Sequence, residues 1–283
     1  MKFLCLPGAY GSSKNFSVQL DPFAKHMGAR GLATFTYTQG EHEVEPPVGW
    51  EHYFGSRPLY RFLDSSENDA FEALRRVRQL PRGLSPEATL RLFQNPDAEV
   101  SEAFRDNFRA ALDRIRRVIE EDPEIDAILG YSEGAMLAAS ILYMENENWV
   151  KHKIPRRLKF GIFFSGTPPL GIEPDGSLAP KLADECKSVI DIPTFHVFGS
   201  NDPLMYSAVA LHNVCNQETA MLWDHGLGHL VPRDADTVSE LGDILHDVIL
   251  RIDKGGIAGT DTPITDFTDF SSESGRSDRS EKY

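Results

Sequence analysis

Residues 130–134 read Gly130-Tyr131-Ser132-Glu133-Gly134, with a glycine two positions to either side of a serine. A serine becomes a nucleophile when a sharp turn lifts its hydroxyl out over the end of a sheet. The residues two before and two after it then lie too close to neighbouring backbone to carry a Cβ, so both favour glycine. The bare five-residue pattern is a weak signal. Its flanks strengthen it, because the apolar run Ile125-Asp-Ala-Ile-Leu129 leads in and the helix-forming run Ala135-Met-Leu-Ala-Ala-Ser-Ile-Leu142 leads out.

A serine hydroxyl needs a base to take its proton, and an imidazole base needs a carboxylate to hold its tautomer and stabilise its cation. On strand–turn–helix scaffolds these partners follow in the order serine, acid, histidine. The run Thr194-Phe-His-Val-Phe-Gly-Ser-Asn-Asp202-Pro203 is an apolar strand that breaks at Gly199 and leaves Asp202 just past its end. Asp202 also fits an N-cap for a helix starting at Pro203, and the two roles are compatible. The later run Leu222-Trp-Asp-His225-Gly-Leu-Gly-His229-Leu-Val-Pro232 offers two imidazoles in a glycine-rich loop. His229, just before the final helical pattern, is the favoured base, and His225 is read as a loop-shaping neighbour. His196, inside a strand, reads as a core histidine.

Acyl transfer also needs donors for the oxyanion. One backbone N–H is expected from Glu133, at a helix N-terminus where the dipole favours negative charge. The other is expected from the turn Pro7-Gly8-Ala9-Tyr10-Gly11, from Ala9 or Tyr10. That turn lacks Gly-Lys-Ser/Thr and does not match the dinucleotide fingerprint, which argues against a nucleotide site.

The elements that must position these residues alternate. Strand-like runs fall at Lys2–Leu6, Leu32–Tyr37, Ile125–Leu129, Leu158–Ser165, Thr194–Phe198 and Ala220–Trp223, several apolar on consecutive positions as doubly buried strands are. The clearest helical patterns are Glu102–Glu121, Glu133–Glu147, Met205–Val214 and Ala235–Ile252. Repeated β–α units imply an α/β fold, a mostly parallel, doubly wound sheet of about six strands, with ligands at the carboxyl ends of the strands. Residues 41–96 interrupt the alternation after the second strand. They hold a helix expected at Glu67–Gln79, an irregular stretch around Leu84, and an aromatic cluster of Trp50, Tyr53, Phe54 and Tyr60. These aromatics are either ordinary packing or a cap-like wall for an apolar substrate pocket. Residues 1–253 are read as one domain, and 254–283, rich in Gly, Ser, Thr and Asp, as a disordered acidic tail.

Composition narrows the chemistry. The chain has 283 residues and a net charge of −14, which disfavours nucleic acid as a partner. No run approaches the ~18 apolar residues of a membrane span. The opening apolar stretch is short and ends in Pro7-Gly8, so it reads as a first strand, not a signal sequence, and a cytoplasmic location is expected. Three cysteines without a Cys-x-x-Cys fit a reducing compartment and argue against a zinc cluster.

Several segments together resemble the fungal serine hydrolase family of α/β-hydrolases, and within it the LovG-like esterases and thioesterases of polyketide gene clusters. They are residues 3–16, Gly49-Trp-Glu-His-Tyr-Phe-Gly55, Gly130–Gly134, Phe198-Gly-Ser-Asn-Asp202 and Gly226–Pro232. The resemblance implies Ser132, Asp202 and His229 as a catalytic triad, with no metal or organic cofactor. It implies a polyketide-type acyl ester or thioester as substrate and an acyl carrier protein as a partner. Many members have His-Gly where this chain has Pro7-Gly8, a change that leaves the backbone donors in place. The basic stretch Lys151–Lys159 and the arginines at 75, 76, 78 and 82 are candidate carrier-docking patches or merely solvated faces. The rival readings are a free carboxylesterase, deacetylase or lactone hydrolase, and a non-catalytic hydrolase-fold binding module.

Overall fold

A computed structural model describes residues 1–51, 53–64, 83–93, 101–173, 175–186 and 189–254. The expected helix at Glu67–Gln79, the arginines at 75, 76, 78 and 82, and the tail from 255 onward lie outside the described residues. The strands are β1 (Lys2–Leu6), β2 (Thr34–Tyr37), β3 (His42–Val44), β4 (Leu59–Arg61), β5 (Ala127–Tyr131), β6 (Phe160–Phe164), β7 (Leu170–Ile172), β8 (Leu178–Pro180), β9 (Thr194–Phe198) and β10 (Ala220–Asp224). The helices are α1 (Ser13–Ala29), α2 (Pro86–Phe93), α3 (Glu102–Glu121), α4 (Glu133–His152), α5 (Met205–Asn213) and α6 (Ala235–Asp253).

Six strands form one sheet in the order β10-β9-β6-β5-β1-β2, with every neighbouring pair parallel. The chain builds β1 and β2 outward in one direction, then returns to the other side of β1 and builds β5, β6, β9 and β10 in the opposite direction. The crevice between the carboxyl ends of β1 and β5 is therefore the topological switch point, where sheets of this kind bind ligands. This is the α/β-hydrolase architecture expected from the sequence.

Alternation along the buried strands fills both faces. Leu4, Leu6, Ile128 and Phe163 join the cluster that includes Phe108, Leu112 and Ile115 of α3 and Leu137 and Ile141 of α4. Phe3, Cys5, Leu129, Phe164 and Val197 face the opposite cluster, with Phe16, Leu20 and Phe23 of α1 and Val238, Leu241 and Leu245 of α6. Helix α3 starts where Ser101 Oγ accepts the Phe104 N–H at 3.1 Å. Its Phe108, Leu112, Ile115 and Ile119 recur at helical spacing toward the core.

Six elements, two helices and four short strands, exceed the sequence expectation. Helix α1 carries Pro22 inside an otherwise regular apolar pattern. The antiparallel pairs β3–β4 and β7–β8 are only three residues per strand. Helix α2 replaces the irregular stretch expected around Leu84, and its start is readable in hindsight. Ser85 Oγ accepts the Ala88 N–H at 3.1 Å, and Pro86 occupies the first helical position, where its missing N–H costs nothing. Among the described residues no helix is long and apolar enough to cross a membrane.

Candidate active site

Ser132 sits between β5 and α4 with φ 53° and ψ −115°, a backbone conformation that a non-glycine residue rarely adopts. The surroundings enforce it. A Cβ on Gly130 would run into Ala135 and Gly134 backbone, and one on Gly134 into the Leu6 and Pro7 carbonyls. Ser132 N–H donates to the Phe164 carbonyl at 3.0 Å, which ties the turn to the end of β6. The two glycines thus meet the close-approach requirement read from the sequence.

The three predicted side chains form one hydrogen-bonded row. His229 Nε2 lies 3.0 Å from Ser132 Oγ, and His229 Nδ1 lies 2.8 Å from Asp202 Oδ2. The Asp202 side chain is 1% exposed and that of His229 is 26% exposed, so the row runs from the interior to an accessible serine. Burial alone would raise the Asp202 carboxyl. The hydrogen bond and charge of His229, with the Leu204 N–H, outweigh burial and hold the carboxyl below its ordinary value. Asp202 Oδ1 accepts that N–H at 2.8 Å, whereas α5 begins at Met205 with Leu204 at its N-cap position. Asp202 therefore closes the turn ahead of the helix and is not the N-cap of a helix starting at Pro203.

His225 does not join the row. Its N–H donates to the Phe198 carbonyl and its Nδ1 accepts the Leu227 N–H at 3.3 Å, so it shapes the loop that carries His229. His196 is buried in β9 with Nε2 2.9 Å from Thr194 Oγ1, a core histidine with one of its two nitrogens paired. Tyr131, which the sequence reading passed over, contacts His229 directly. Its hydroxyl donates to the His229 carbonyl at 3.0 Å, and the two rings lie 5.3 Å apart. Its signal was its place beside the serine at the end of a buried strand.

The β1–α1 turn meets Ser132. A Cβ on Gly8 would contact the Tyr131 ring and Ser132 Cβ, so the backbone of Gly8 passes directly beside the serine. Tyr10 follows with φ 62° and is buried. Ala9, Tyr10 and Glu133 therefore stand on the two segments that flank Ser132. The aromatic segment docks on this turn: the Phe54 ring lies 4.8 Å from the Tyr10 ring, and Trp50, Tyr53 and Phe54 pack on one another at 5.0–6.4 Å. Asn15 Nδ2 holds the Phe54 and Ser56 carbonyls at 3.1 and 2.8 Å. Tyr60 joins through its backbone, in an antiparallel bridge with Gly11. Trp50 is 40% and Tyr53 61% exposed.

The basic stretch Lys151–Lys159 is nowhere near this site. It begins in the last turn of α4 and runs past its C-terminal end, roughly 30 Å from Ser132 along the 20-residue helix, at the amino ends of the strands. Its cations are also engaged: Arg156 with Asp191, Arg157 with the Asp122 carbonyl, Lys159 with Asp126. A partner docked there would not face the serine, and the paired cations fit the solvated-face alternative.

Comparison with known proteins gives the following likenesses. The chain is 25% identical over 255 residues to "Esterase FPY3" of Fusarium mangiferae, covering 89% of this chain and 98% of that protein. It is 26% identical over 240 residues to "Esterase OVCA2" of Bos taurus, covering 83% and 91% respectively. Among solved structures, Arabidopsis thaliana SOBER1 aligns over 89% of this chain and 98% of its own at 15% identity, with a TM-score of 0.48. The family model described as serine hydrolase (FSH1) matches residues 1–241, a span that contains the elbow serine, the buried aspartate and the loop histidine. The chain belongs to the serine hydrolase (FSH1) family.

Proposed function

We propose that this serine hydrolase cleaves an ester or thioester through an acyl-enzyme, with Ser132 as nucleophile, His229 as base and Asp202 as the carboxylate that orients it. The single observation that supports this best is the continuous row Asp202–His229–Ser132 at 2.8 and 3.0 Å, ending on a serine in a strained turn. In the first half-reaction Ser132 Oγ attacks the acyl carbonyl while its proton passes to His229 Nε2. The N–H of Glu133 and that of Ala9 or Tyr10 receive the oxyanion. His229 then returns the proton to the departing alcohol or thiol. In the second half-reaction water, deprotonated by His229, attacks the acyl-serine and releases a carboxylic acid.

The substrate reading is a polyketide-type acyl group, free or on an acyl carrier protein. The exposed rings of Trp50 and Tyr53, packed on Phe54, and Tyr60 on the neighbouring strand are read as an open apolar wall for a long or ring-bearing chain. The catalytic unit is read as residues 1–253, with Trp50, Tyr53, Phe54 and Tyr60 as the wall. Ester and thioester share one tetrahedral intermediate, so substrate comparison separates them. Rates on small acetyl esters and on a long acyl thioester of N-acetylcysteamine should favour the long thioester. Exclusive use of acetyl esters would instead assign a free esterase or deacetylase.

A further inference from the structure

The two oxyanion donors belong to different chain segments, one on the elbow and one on the β1–α1 turn. Something must hold those segments at a fixed separation, because a donor displaced by a fraction of an ångström stabilises the oxyanion poorly. On one side the close backbone contact of Gly134 with Leu6 and Pro7 does so. On the other side the returning strand of the insertion spans both segments within four residues. Tyr60 bridges Gly11 through its backbone. Leu63 N–H donates to Glu133 Oε1 at 3.1 Å. Between them, the Arg61 guanidinium lies 5.7 Å from the Tyr10 ring centroid, over its face, with Nε 3.7 Å from Glu133 Oε2.

The Arg61 and Glu133 side chains are only 11% and 7% exposed. Neither Arg61 Nε nor Glu133 Oε2 has a hydrogen-bond partner, so at 3.7 Å these two atoms interact through charge. Burial pushes the Glu133 carboxyl up, and the Arg61 charge and the Leu63 and Phe62 N–H groups pull against it. A buried pair of this kind is weak evidence for stability, since desolvation offsets much of the attraction, and is better explained by a need to fix geometry.

We propose that Arg61 is a positioning residue for the oxyanion hole: through the Tyr10 ring and the Glu133 carboxylate it sets the spacing of the two backbone donors beside Ser132. This rests on the acyl-enzyme reading above. It gives the insertion a role in the chemistry itself, beyond lining the substrate path.

The test compares wild type with Arg61→Met, with the double variant Arg61→Met/Glu133→Gln, and with Ser132→Ala. The double variant removes both charges and so keeps the test open if the single variant fails to fold. Each is assayed on a p-nitrophenyl ester and on the matching thionoester, whose C=S group fits a hole built for oxygen poorly. Removing one oxyanion donor outright costs on the order of 10²–10³ in kcat. A mis-spaced hole should cost less, about 10- to 100-fold, with KM little changed and the oxygen-to-sulfur rate ratio falling. A folded double variant with wild-type kcat and an unchanged ratio would overturn the proposal while leaving the nucleophile intact. An active Ser132→Ala would instead overturn the acyl-enzyme reading on which it stands.

Discussion

His225 and His229 lie four residues apart in one loop, yet only His229 reaches the serine, and the difference is one of direction. His225 turns back onto the Phe198 carbonyl and the Leu227 N–H, whereas His229 projects between Ser132 and Asp202. Replacing His229 with alanine should lower turnover by about 10⁶, as loss of the base in comparable enzymes does. Replacing His225 with asparagine should cost less than about tenfold and act through loop order. Steady-state rates of the two variants on one ester check this, and equal losses would place both imidazoles in the reaction. Asp202→Asn should fall between, at about 10⁴, because geometry survives and the tautomer does not. Ser132, Asp202 and His229 were legible in the sequence because each follows an apolar strand-like run, in the order serine, acid, histidine. Arg61 was not legible. An arginine in a three-residue strand carries no local pattern, and its meaning comes from groups that follow it by 72 positions or precede it by about 50.

At the scale of elements, the strands buried on both faces announced themselves as apolar runs, and their order fixed where the chemistry could sit. The short strands β3, β4, β7 and β8 did not, since three residues give too little alternation to distinguish a strand from a loop. Helix α2 was missed for a different reason: the stretch around Leu84 was read as irregular, although Ser85 and Pro86 are an N-cap and a first-position proline. The elbow makes a sharper prediction. Gly130 and Gly134 have no room for a Cβ, whereas Gly228, in the His229 loop, would meet nothing within 4 Å. Alanine at Gly130 or Gly134 should abolish activity and leave little soluble protein. Alanine at Gly228 should leave the melting temperature within a few degrees of wild type. Thermal melts of the three variants test this, and a well-folded, active Gly134→Ala would contradict the close approach of the elbow to β1.

For the whole molecule, the buried histidines tie stability to pH. His196 is held well below its ordinary value, first by burial and then by the nearby His212, whose ring lies 5.2 Å away. In the unfolded chain it takes up a proton near the usual pH of ~6.5, while in the fold it stays neutral. The unfolded state therefore binds more protons below that pH, and stability is lost as the pH falls, by up to about 1.4 kcal/mol per pH unit for this one group. Urea unfolding from pH 7.5 to 5 should show that decline. His196→Gln, which keeps an amide near Thr194 and cannot titrate, should flatten it; an unchanged slope would remove His196 as a cause. The central claim concerns the serine, and one measurement addresses it most directly. Wild type and Ser132→Ala are mixed rapidly with a p-nitrophenyl ester, and the acylated peptide is located by mass spectrometry. An initial burst of p-nitrophenol with the acyl group on Ser132, and turnover lower by about 10⁶ without a burst in the variant, is the predicted result. Undiminished turnover by Ser132→Ala, or an acyl group on another residue, would contradict it.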